Sequence, residues 1–111
     1  MRLRLARDRD QAAPQVIDVE AFGVIRRAYQ QGHLDGTAAA QAVEDLRDWP
    51  GERFGHRLLL ARAWELRATV RSWDALYIAL AEALDAVLVT TDARLAAAVG
   101  PTCNIEVIGG V

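Results

Sequence analysis

A helix-rich α/β domain around a small parallel sheet is predicted by three observations. Apolar residues recur at helical spacing through most of the chain. Two short β-branched runs, AVLVT at 86–90 and NIEVI at 104–108, flank a short helical stretch, DARLAAAVGP. Strand, helix and strand in that order form a parallel crossover. With 111 residues, 52% of them hydrophobic and 25% charged, the chain suits one small domain with its own core.

Each element follows from local pattern. Over residues 14–31, Ile17, Ala21, Val24, Ile25, Ala28 and Tyr29 form an apolar stripe, and Gly32 ends the helix. Thr37 is the expected N-cap of a second helix that runs through Ala42, Val43 and Leu46 until Pro50 and Gly51 break it. Residues 48–55 admit a short strand, which Pro50 confines to an edge or a loop. Leu58, Leu59, Ala63 and Leu66 mark a helix over 56–68, and Ser72 is the expected cap of another through Leu84. Gly100 and Pro101 end the crossover helix. There are no repeats, low-complexity linkers or coiled-coil heptads.

Composition narrows the chemistry. No apolar run is long enough to span a bilayer, and MRLRLARDRDQ lacks the apolar centre of a secretion signal, so a cytoplasmic chain is expected. Cys103 is alone, and His33 and His56 are too few for a zinc constellation. Any metal would be held by oxygen. The formal net charge of -2 argues against coating nucleic acid by bulk attraction. All 13 basic residues are arginine, whose planar fork suits phosphate, although a GC-rich genome also yields Ala- and Arg-rich chains without lysine.

Three carboxylates stand in apolar stretches: Glu20 in VIDVEAFGVIRR, Asp74 in SWDALYIALAEAL and Asp92 after AVLVT. Asp92 follows the carboxyl end of a parallel strand, where ligands gather in open sheets, with Thr90 and Thr91 beside it. It is equally suited to cap the helix that follows. Asp74 shares a helical face with Ile78 and Ala81, or is simply a favourable first-turn acid. Glu20 lies among Val16 and Val24, with Arg27 as a possible ion-pair partner and Asp18 as an alternative donor.

In order, PQVIDVEAFGVIRR, RLLLARAWELR, SWDALYIALAEAL and LVTTDARLA resemble the PIN-domain ribonuclease toxins of the VapC type, and the likeness covers nearly the whole chain. The resemblance implies a three-layer α/β/α fold and RNA hydrolysis with Mg²⁺ or Mn²⁺. It also implies a homodimer, a tRNA or rRNA substrate, and silencing by a VapB-type antitoxin. Its acidic motif maps onto Glu20, Asp74 and Asp92 as metal ligands and catalytic residues. Hard divalent cations prefer such oxygens. Thr90 and Thr91 are auxiliary hydrogen-bonding candidates, and Arg27 and Arg94 are candidates for holding phosphate.

The departure is at the front. The family begins with an apolar strand, central in the sheet, that ends in Asp-x-Ser. MRLRLARDRDQAA offers no such strand, and neither Asp8 nor Asp10 takes over its aspartate. A domain over residues 1–111 that lacks its N-terminal central strand is therefore expected, with weakened activity and stability. A missed upstream start is the favoured account, beside a decayed gene or a strand supplied by a partner. The alternative function is a catalytically dead domain that only binds antitoxin or a partner. The aromatics Trp49, Phe54 and Trp64 serve either the core or such an interface.

Overall fold

A computed structural model of the chain describes residues 2–4 and 10–109. They fall into two compact units, one holding the residues up to Pro14 and from Gly51 onward, the other Gln15–Pro50.

The first unit is built on a five-stranded sheet. Its strands are β1 (Arg2–Arg4), β2 (Gln11–Pro14), β3 (Glu52–Phe54), β4 (Val87–Thr90) and β5 (Ile105–Val107), in the order β3-β2-β1-β4-β5. The expected crossover is present: β4 and β5 are parallel neighbours, with Leu88 facing Ile105 and Thr90 facing Val107. β3 occupies an edge and pairs parallel with β2, and it begins after Pro50, which lies outside the strand.

Two expectations are corrected here. The sheet is mixed, because β1 runs antiparallel to both β2 and β4. Its centre is also filled: Leu3 lies opposite Ala12 on one side and Leu88 on the other, and all three are fully buried. The direction of β1 follows from chain length, since a parallel partner needs a crossover of a dozen or more residues and few separate β1 from β2. Asp8 lies outside the described residues, and Asp10 is exposed.

α4 (Ser72–Leu84) packs on β1, β2 and β4, and buries Ala75, Tyr77, Ile78, Ala79, Leu80 and Ala81. Its nearly continuous apolar run explains this deep burial. Arg71, not Ser72, holds the N-cap position, and no side chain caps the helix. The stretch read as one helix over 56–68 is shorter: a 3₁₀ turn (Arg57–Leu59) leads into α3 (Leu60–Glu65), which packs against α4. α5 (Ala93–Ala96) is the short crossover helix. Gly100 has φ +114 and would bring an added Cβ to 3.1 Å from Leu66 Cδ2, so glycine is needed to turn the chain there.

The second unit is a helical pair, α1 (Val16–Gln30) against α2 (Gly36–Arg47). Pro14 belongs to β2, so α1 starts later than the periodicity suggested. Asp35 caps α2 in place of Thr37: its Oδ1 accepts from the Ala38 amide at 2.8 Å. In the sequence Asp-Gly-Thr both residues are cap formers, and the one with extended backbone takes the role.

Candidate active site

β4 delivers the first acid. Thr90, its last residue, is buried, and the Thr90 Oγ1 accepts from the Asp92 amide at 3.0 Å, which sets the turn out of the strand. Asp92 then caps α5, with Oδ1 accepting from the Arg94 amide at 3.0 Å. The same carboxylate receives the Arg94 guanidinium as a fork, Nε to Oδ1 at 3.1 Å and Nη2 to Oδ2 at 3.1 Å. These Arg94 hydrogen bonds hold the Asp92 carboxyl below its ordinary range. Of the two roles weighed from sequence, capping is formed, and the carboxylate's remaining capacity is taken by Arg94.

α4 delivers the second. Asp74 is in its first turn, half-buried, and burial raises its carboxyl above the ordinary value. Arg71 opposes that rise, Asp92 adds to it by like charge, and Arg94 again opposes it. All four residues line one cleft of about 160 Å³, backed by Val70 and Leu95. It carries two carboxylates of unequal basicity between two guanidinium groups.

The remaining candidates are placed differently. Thr91 is exposed beside Asp92. Glu20 and Arg27 belong to the helical unit. Glu20 is half-buried on α1, and its Oε1 is buried with no hydrogen-bond partner among the described residues. The ion pair weighed between Glu20 and Arg27 is not formed, and Arg27 is exposed in the last turn of α1. Burial raises the Cys103 thiol, which makes it a poor thiolate donor at neutral pH. Among the described residues no group of three or more His, Cys, Asp or Glu side chains is arranged to hold a metal ion. Asp74 and Asp92 are the two carboxylates that line this cleft, beside Arg71 and Arg94. Sequence reasoning missed Arg71; its one signal was its place three residues before Asp74, at the start of α4.

Fold and cleft together define a small α/β domain with paired acids at the carboxyl end of a parallel strand. No family model matches the chain. Curated relatives do: it is 44% identical over 98 residues to Ribonuclease VapC3 of Mycobacterium tuberculosis, covering 88% of this chain and 71% of that one. Over 97 residues it is 39% identical to Ribonuclease VapC1 of the same organism, covering 86% and 73%. Over 95 residues it is 36% identical to Ribonuclease VapC9, covering 86% and 75%. The chain belongs to the VapC-type PIN-domain ribonuclease toxins.

Proposed function

We propose that this ribonuclease toxin hydrolyses phosphodiester bonds of RNA, tRNA or rRNA, with Mg²⁺ or Mn²⁺ held at Asp74 and Asp92. Glu20 is the third acid that the resemblance assigns. The observation that carries the reading is the shared cleft: Asp74 is costly as an anion through burial and through the charge of Asp92, and a cation removes both costs. The Asp92 fork already accepts a cation, the guanidinium of Arg94, whose side chain is 76% exposed and free to swing away.

When bound, a divalent ion supplies an acidified water and offsets charge building on the phosphoryl oxygens. Asp74 and Asp92 would hold the ion and orient the attacking water. Arg71 and a displaced Arg94 hold the non-bridging oxygens of the phosphate, which positions phosphorus over the two acids. Thr90 keeps the Asp92 backbone in register for this, while Thr91 and Arg27 stay as auxiliary contacts to RNA.

The partners in this proposal are a VapB-type antitoxin and a second copy of the chain, and the compartment is the cytoplasm. In its support, no helix among the described residues is long and apolar enough to cross a membrane. A single PIN-like domain over residues 1–111 is part of the same proposal.

Purified protein should cleave labelled RNA with Mg²⁺ or Mn²⁺, stop in EDTA, and lose cleavage on Asp92→Asn. Undiminished cleavage in EDTA overturns the metal assignment. Antitoxin binding without saturable Mn²⁺ binding in calorimetry would instead identify a domain that only titrates antitoxin.

A further inference from the structure

A second concavity lies beside the acidic cleft. It is a groove of about 520 Å³ between α3 and the start of α4, walled chiefly by Leu60, Ala63, Trp64, Arg67, Val70 and Arg71. That size is within the ~300–1,000 Å³ usual for a small-molecule site. Its lining is mostly apolar, its charged members are both arginine, and no acid contributes to it. Val70 and Arg71 also line the acidic cleft, so the two concavities share a wall.

Trp64 is 66% exposed, an unusual state for the largest apolar side chain. It is nonetheless ordered. The Arg67 guanidinium lies 4.3 Å from the centroid of its ring, and Arg67 Nη1 donates to the Trp64 carbonyl at 2.9 Å. An indole with a guanidinium held over one face is a preformed stacked pair, positively charged on that side and with its other plane left for stacking.

We propose that this groove is a nucleobase subsite for single-stranded RNA, in which Trp64 and Arg67 take a base adjacent to the phosphate held at the acidic cleft. The inference rests on the nuclease reading above for the direction of the strand. A phosphate at Asp74 and Asp92 lies next to Arg71, and the shared wall leads from there to Trp64. Unpaired bases are recognised by stacking on aromatic and guanidinium planes, with arginine neutralising the adjoining backbone. A peptide partner would use the same apolar walls but has no need of continuity with the acidic cleft.

The test is fluorescence anisotropy of a fluorescein-labelled single-stranded oligouridylate, with EDTA present so that the RNA stays intact. Trp64→Ala and Trp64→Leu should weaken binding about tenfold, the scale of one lost base stack, while Trp64→Phe keeps most of the affinity. The leucine variant retains apolar bulk and so separates loss of the π face from loss of packing. Wild-type affinity within about twofold in both the alanine and leucine variants overturns the subsite. So does loss of antitoxin binding in those variants with RNA affinity unchanged, which would assign the groove to a protein partner. A wild-type protein that binds RNA through Trp64 but cuts nothing in Mg²⁺ or Mn²⁺ would sink the nuclease reading and leave the subsite standing.

Discussion

Arg62 on α3 and Glu82 on α4 form a two-point ion pair, with Nε donating to Oε1 at 2.6 Å and Nη2 to Oε2 at 3.1 Å. Both ends are tied further. Arg62 Nη2 donates to the Gly100 carbonyl at 2.8 Å, and Glu82 Oε2 accepts from the Thr102 amide at 2.8 Å. The pair thus joins two helices to the loop that returns the chain into β5, and Glu82, only 13% exposed, has little water to replace a lost partner.

Glu82→Gln should therefore destabilise the fold by roughly 1–3 kcal/mol, read from urea denaturation at neutral pH. The Arg62 hydrogen bonds, foremost, hold the Glu82 carboxyl below its ordinary value. A lowered folded-state pKa means that this stabilisation is full above the unfolded value and is lost as pH falls through the folded one. Thermal melts over the acid range should show wild type losing more stability than Glu82→Gln; parallel pH profiles would refute the linkage.

Asp74 has the opposite sign. Burial raises its carboxyl, so the folded state binds the proton more tightly than the unfolded one, and ionisation costs stability once pH passes the unfolded value. Asp74→Asn should raise neutral-pH stability by roughly 0.5 kcal/mol, a gain kept small by solvent screening. Under the proposed function it should also abolish cleavage. A denaturation curve shifted down, together with retained nuclease activity, would contradict both parts.

Arg94 competes for the oxygens that the proposed ion requires. Arg94→Ala should tighten Mn²⁺ binding severalfold in calorimetry while raising the KM for RNA, because the side chain otherwise both blocks Asp92 and, once displaced, holds phosphate. Unchanged Mn²⁺ affinity would show that the fork on Asp92 does not compete with the ion.

Asp85 ends α4 with φ 51 and ψ 45, the left-handed conformation that favours glycine at this place. Asp85→Gly should stabilise the protein by about 0.5–1 kcal/mol. Relief of the strain outweighs the extra freedom that glycine has in the unfolded chain. The urea midpoint reads this directly and should rise without a change in slope.

These effects also show how far the sequence could be read. The crossover through β4 and β5 was visible because AVLVT and NIEVI are β-branched runs with a helix-length spacer, and the short strand expected within residues 48–55 is present at an edge. β1 and β2 were not visible. Arg-Leu-Arg is too short to show alternation against its charge, and Gln-Ala-Ala-Pro has no β-branched residue; each is held by a strand distant in the chain, β1 by β4 through Leu3 and Leu88, and β2 by β3 through Ala12 and Glu52. In the cleft, Asp74 and Asp92 could be singled out because acids are rare in apolar runs. Arg71 could not, since an exposed arginine in an arginine-rich sequence resembles any other until the fold sets it beside Asp74.

The guanidinium on Asp92 also separates assembly from loading. Because the acidic cleft carries its own countercharges in Arg94 and Arg71, the cost of its negative groups is partly offset and the fold does not wait for a guest ion. A chelator should silence the protein without melting it, and dialysis against EDTA should lower the midpoint of thermal unfolding only by the margin that ion binding to the folded state contributes. Ripening of the centre then becomes a late, reversible event in an already finished molecule, governed by ion supply and not by folding.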